Sequence, residues 1–307
     1  MVPSFERFRV MNDSLIPLRM AIPSLRFRSL VRRCFVRRAG TSAPTLSLFW
    51  SAAMTMVLGS LLSGQSAPAQ DIIQTVSATT SAGRLKASFR VETEIFEGTQ
   101  SQPQSQHLSL FDSGVIYDLP IGGGSTITMF DPIRDRVVLL HKLQKVRTSI
   151  TNDSLIRVAA QLRAAAMESG AEKRLGLSAR VLQGESSGSY VVEFGDTKYV
   201  ATTQTALVDS MAQQYAEFTV WASRLNLARQ IGSPPFARIA LAEQMASEGL
   251  VPRQVKLEVR RGLKTRTFRS EHLYVGRLSD ADRQKISEIG SMMASFEEVE
   301  FSAFPVD

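Results

Sequence analysis

Gly184-Glu185-Ser186-Ser187-Gly188 has the spacing of a nucleophile elbow, the sharp turn between a strand and a helix that presents a reactive serine. The residues that follow, Ser189 to Phe194, read as a strand, so the turn would join strand to strand. A hydrolase also needs a histidine later in the chain, and His272 is the one available, in the middle of a predicted hairpin strand. Gly122 to Gly124 would have to serve as the oxyanion loop. The pattern predicts a flexible turn of small residues, with a serine hydrolase using Ser186 and His272 as the least favoured alternative.

His107, His141 and His272 are the three histidines of the chain, each on or beside a predicted strand. None has a second histidine or a carboxylate at metal-ligand spacing, so no metal site is expected unless all three converge in space. The run Ile121 to Ser125 lacks the lysine and the following helix of a phosphate loop. Asp131-Pro132 and Asp135 have the composition of turn formers. No catalytic residue and no cofactor is therefore expected.

The first 69 residues read as an export signal. Residues 1–45 hold nine arginines against Glu6 and Asp13. An uncharged, mostly apolar run follows at 46–62, then Ala67 and Ala69 at the spacing a signal peptidase requires. Met20 is an alternative start. The apolar run is near the lower limit for spanning a bilayer and is followed by no basic cluster, so cleavage is expected and no stable membrane span should remain. Arg32, Arg33, Phe35, Val36 and Arg37 resemble a twin-arginine export signal, with Val31 in place of a polar residue. The general secretory route is the primary expectation. Cys34, the single cysteine, would leave with the leader, and no apolar lipobox precedes it. The exported chain would then have neither a disulfide nor a thiol nucleophile.

Setting the leader aside also removes the basic character. The chain has 36 basic and 29 acidic residues; without the nine arginines and two acids of the leader, 27 of each remain. Nucleic-acid binding needs a basic domain or stripe and is not expected. Residues 70–307 suffice for one domain with a real core.

That domain opens as a meander. In the stretch 85–96, Leu85, Ala87, Phe89, Val91 and Ile95 alternate with polar residues, the mark of a half-buried antiparallel strand. Further strands are expected at 107–111, 115–119, 126–130, 136–140 and 145–150, separated by turn residues. A helix capped at 151–153 should run to about Met167, a hairpin should turn at Gly195-Asp196, and a long helix is expected from about Thr205 to Arg229. A helix over 236–248 ending at Gly249, a hairpin across Gly262, a helix capped by Ser279 with Asp282 in a capping-box position, and an edge strand in the last residues complete the set. The polar region 168–188 is the one candidate boundary within the domain.

Three segments of the meander, FRVETEIFEG, LSLFDSGVIYDL and ITMFDPIRDRVVLLHKLQKVRTSI, together resemble the opening of the outer-membrane lipoprotein carrier fold, the lipoprotein localisation factors. The resemblance covers roughly residues 85–150; the long helix and Gly232-Ser233-Pro234-Pro235 lie outside it, and it transfers no residue role. It implies an α+β domain with a curved, half-barrel-like antiparallel sheet and helices packed on one face. Together with the strand alternation and the aromatic content, it leads to the expectation of an exported, non-catalytic protein of the periplasm or cell envelope. The expected ligand is a lipid or a lipoprotein acyl group, buried against Phe89, Val91, Ile95, Leu110 and Tyr117 and released when a helix moves. The export machinery would be a partner through the leader. An envelope structural or protein-interaction module without a small ligand is the main alternative.

Overall fold

The structure, a computed structural model, describes residues 86–305, and the readings made on the leader lie outside them. The described residues belong to one compact unit. Strands β1 (Phe89–Glu97), β2 (Ser105–Asp112), β3 (Val115–Ile121), β4 (Thr126–Asp131), β5 (Arg136–His141) and β6 (Val146–Thr151) form the meander. Helices α1 (Asn152–Glu168) and α2 (Glu172–Leu175) follow, then β7 (Val181–Gln183), β8 (Ser189–Phe194) and β9 (Thr197–Thr205). Next come α3 (Met211–Ala228), α4 (Pro235–Ser247), the long hairpin of β10 (Leu250–Arg261) and β11 (Lys264–Val275), α5 (Asp280–Ser295) and the short β12 (Glu297–Glu298).

The twelve described strands make one sheet in the order β12, β6, β5, β4, β3, β2, β1, β11, β10, β9, β8, β7. Its pairs are antiparallel except β12 with β6, and the outer strands β12 and β7 do not meet, so the sheet is open. β1 is the hinge of the topology. It pairs with its sequence neighbour β2 on one side and with β11, far along the chain, on the other.

Register assigns the side chains to faces, because cross-strand partners lie on the same side of a sheet. Phe89, Phe111, Ile116, Phe130, Val137 and Ile150 are successive partners from β1 to β6, and all six are buried in one cluster. α3 covers this first face with Met211, Tyr215, Trp221 and Leu225, and α1 adds Leu155. Phe89 and Phe111 stack at 4.1 Å, while Phe218 and Trp221 meet Phe130 edge-on at 5.3 and 6.5 Å. Burial of each such side chain contributes about 1.5–3 kcal/mol. α4 continues the roof, packing Ala237, Leu241 and Met245 on Tyr190, Val192, Tyr199 and Val255.

The next row, Arg90, Leu110, Tyr117, Met129 and Val138, belongs to the second face. There α5 lays Ile289, Met292 and Met293 on Ile127, Met129, Val138 and Leu140. The helices are thus divided: α1, α3 and α4 on the first face and α5 on the second, against the expectation that all share one face. The cause is the apolar content of β2 to β5 on both faces, which demands cover on both sides.

Three local readings are corrected. α3 begins at Met211 rather than near Thr205, because the β-branched run through Thr205 stays extended as β9, with Thr205 opposite Leu250. Leu207, which the expected helix would have included, lies before its start and is exposed. The region 168–188 is no boundary, since Ala171 and Leu175 are buried with Val158, Leu162 and Leu227. The expected terminal edge strand shrinks to the two residues of β12, after which the chain turns inward and buries Phe304.

Candidate functional site

Alternation along β1 places Thr93 on the first face, beyond Phe89 and Val91, and register sets it opposite a histidine on each side: His107 on β2 and His272 on β11. Two polar networks meet at this rung. In the first, Nδ1 of His272 lies 3.1 Å from Thr93 Oγ1 and 3.2 Å from the Tyr215 hydroxyl of α3. Its Nε2 lies 3.0 Å from Ser270 Oγ, whose own proton goes to the Val255 carbonyl. Ser270 therefore accepts from Nε2–H, which leaves Nδ1 as the acceptor for the Thr93 or Tyr215 hydroxyl. Tyr274, edge-on to Tyr215 at 5.5 Å, donates to the Pro252 carbonyl.

Burial dominates the electrostatics. It pushes the His272 imidazole down to about 3, assisted by the positive charge of Arg238 on α4, so the ring is neutral at ordinary pH. Burial likewise pushes Tyr215 and Tyr274 up. Nη1 of Arg238 is itself buried without a hydrogen-bond partner among the described residues. In the second network, His107 Nδ1 is 3.1 Å from Asp118 Oδ2, and Ser109 Oγ donates to Asp118 Oδ1 at 2.7 Å. Burial opposes charge on His107, but the hydrogen bond and negative charge of Asp118 outweigh it and hold the imidazole above its usual value.

A hollow of about 720 Å³ borders this rung, touching Thr93, His107 and His272. That volume is in the range of small-molecule sites. The rest of its lining is mainly polar and includes Glu92, Glu94 and Glu271, with Arg253 the one lysine or arginine. Glu94 and Glu271 are direct cross-strand partners, a like-charge pairing that costs stability. Each is relieved by a neighbour: Gln106 donates to Glu94 at 2.7 Å, and Arg269 forms an ion pair with Glu271 at 3.1 Å. The surface of the hollow is thus rich in hydrogen-bond acceptors. His272 is the seam between the two environments, lining the hollow while packing edge-on against Tyr215 of the aromatic interior.

The five residues expected to hold a ligand are not one wall. Phe89, Val91 and Ile95 share the first face, with Phe89 and Val91 wholly buried under the roof. Leu110 and Tyr117 share the second face and pack toward α5 through Leu278, Ile286 and Met292. Single-strand alternation cannot tell which strand partners which row, so it pooled residues from both sides. The Ser186 turn is a strand-to-strand connection between β7 and β8, its Ser186 carbonyl accepting from Ser189. His272 has both ring nitrogens engaged elsewhere, and its low basicity makes it a poor general base. The carboxylate beside His107 was missed because Asp118 approaches from the next strand. The legible signal was Thr93 itself, a polar residue in the apolar row of β1. Among the described residues no group of three or more His, Asp or Glu is arranged to hold a metal ion.

Compared with known proteins, the chain matches no protein-family model and no curated protein.

Proposed function

We propose that this chain is an exported, non-catalytic protein that binds an apolar or amphipathic ligand, a lipid or a lipoprotein acyl group, on a curved, half-barrel-like sheet akin to that of the lipoprotein carriers. The observation that carries the reading is the seam at His272, where an aromatic interior meets a polar hollow. An acyl chain would occupy the first face in place of part of the α3 roof, beside Phe89, Val91 and Ile95. A head group bearing N–H or O–H donors would suit the Asp118 carboxylate, which shares the first face beside His107. Because Phe89 and Val91 are fully covered, loading requires α3 to lift, as the helix-release mechanism anticipates. α3 is suited to this: Ser210 at its start makes no side-chain cap, and Gly232-Ser233-Pro234 interrupts the chain beyond its end.

Native mass spectrometry of the chain, purified gently from an export-competent bacterial host, tests the reading. A bound mass matching a lipid or fatty acid, lost on denaturation, is the expected result. An apo mass together with no uptake of a fluorescent fatty acid by the same preparation would overturn it.

A further inference from the structure

The strand directions bring two leucine-bearing turns to the same end of the sheet. Glu97 pairs with Phe268, Ile95 with Ser105, Gln106 with Ile121, Thr126 with His141 and His141 with Val146, so the β10–β11 and β5–β6 turns share one rim. The first reads Arg260-Arg261-Gly262-Leu263-Lys264 and the second Lys142-Leu143-Gln144-Lys145. Leu263 is wholly exposed and Leu143 is 80 % exposed. Arg261 pairs with Lys264, so Gly262 and Leu263 form a two-residue loop, and the φ of +58° at Gly262 is the left-handed conformation such a loop needs. This tip also projects. β9 begins at Thr197 opposite Val259 and β1 ends at Glu97 opposite Phe268, leaving the last two rungs of the hairpin, Arg260 with Thr265 and Arg261 with Lys264, beyond both neighbouring strands.

The five cations of the two turns are exposed, and none is in an ion pair among the described residues. Outside ion pairs the same rim carries the acids Asp196, in the β8–β9 turn, and Glu297, beside Lys145. The opposite rim holds the turns with Asp112, Asp135 and Asp209, and the buried Asp131 with its ion-pair partners Arg134 and Arg136. In residues 70–307, which hold 27 basic and 27 acidic residues, the five cations of these turns are a local concentration on one rim, not an overall excess of charge.

We propose that this rim, led by Leu263 and its flanking Arg260, Arg261 and Lys264, docks the protein on an anionic lipid bilayer. Each cation near such a surface adds about fivefold to the partition. A leucine that finds no apolar neighbour in its own fold gains about tenfold or more on leaving water. A soluble polyanion would use the cations and leave the leucines unrewarded, so the pairing of both at each turn selects a membrane. The inference stands on the rim alone and does not depend on whether an acyl ligand is carried.

Co-sedimentation with phosphatidylcholine vesicles, with and without phosphatidylglycerol and at low and high salt, is the test. The protein should sediment with phosphatidylglycerol vesicles at low salt and be released at high salt. Leu263→Ser should lower the partition about tenfold, and the combined Arg260→Glu, Arg261→Glu and Lys264→Glu variant should lose the dependence on anionic lipid. All variants keep the same N-terminal residues, so differences report the rim, and exposed turn positions leave the core intact. Leu263→Trp should show a blue-shifted emission component on phosphatidylglycerol vesicles that it lacks in buffer. No sedimentation, or equal sedimentation of the protein and both variants, would overturn the proposal. So would equal capture of the protein and Leu263→Ser by soluble polyglutamate without vesicle binding, an outcome that assigns the rim to an acidic polymer.

Discussion

His272 and His107 flank the same threonine and are driven in opposite directions. Burial, with Arg238 adding to it, lowers His272 from 6.5 to about 3 in the folded protein. A histidine depressed on folding contributes stability that is complete above its unfolded value and is lost as the pH falls below it. The folding equilibrium should therefore weaken by about tenfold per pH unit between pH 6.5 and about 3 on this account. Urea unfolding at a series of acidic pH values measures it; His272→Asn should flatten the dependence, and an unchanged slope would show that His272 is not its source. His107 has the reverse sign. Held above 6.5 by Asp118 against the effect of burial, it contributes stability that is complete below 6.5 and is lost as the pH rises through the folded-state value. An NMR titration of the His107 ring should give a midpoint above 6.5, and Asp118→Asn should bring that midpoint down. At this scale the sequence is only half legible. Thr93 stands out as a polar residue in an apolar row, but Asp118, Tyr215 and Arg238 become its neighbours through pairing and helix packing, which residue spacing does not encode.

Elements were read most securely where their signals are local. The capping box of α5 is one: Ser279 Oγ accepts from the Asp282 amide, and Asp282 accepts from the Ser279 amide at 2.9 Å. Asp282 is almost fully buried and also meets Arg90 of β1 at 3.4 Å, so the cap ties α5 to the second face. Ser279→Ala should cost about 1 kcal/mol by chemical denaturation, with Ser279→Asp recovering most of the loss. Equal stability of Ser279→Ala and the parent would mean that the cap carries no weight. The start of α3 was misread for a physical reason of the same kind in reverse. Residues 205–210 share an apolar rhythm with the helix beyond, but pairing of Thr205 with Leu250 extends the strand, and tertiary hydrogen bonds outweigh a weak local preference.

In the whole molecule, the ends of the described chain meet the centre of the fold. Phe304 enters the cluster that holds Phe89 and Phe111, and its ring lies edge-on to His141 at 6.2 Å. The sequence predicts an exposed edge strand at this point, whereas the structure closes this side of the core with Phe304, and Val299 and Phe301 pack against the same cluster. Phe304→Ala should cost about 3 kcal/mol in unfolding experiments, far more than the change of under about 0.5 kcal/mol expected for the exposed Ile133→Ala. Comparable losses at the two sites would contradict this placement.

Alternation, turn residues and helix caps are properties of a few adjacent residues, and from them the sequence alone determined the strands of the meander, both hairpins, the capped helices and the α+β class. It could not determine which strands pair across the chain. The joining of β1 to β11 unites segments about 180 residues apart, and loop entropy offers no local trace of that choice. Once that pairing is made, register follows, and with it the split of Phe89 from Leu110, the convergence of His107, Thr93 and His272, and the rim that gathers Leu143 and Leu263. A one-residue shift of a strand would send its side chains to the opposite face, which is why only the tertiary structure decided the site.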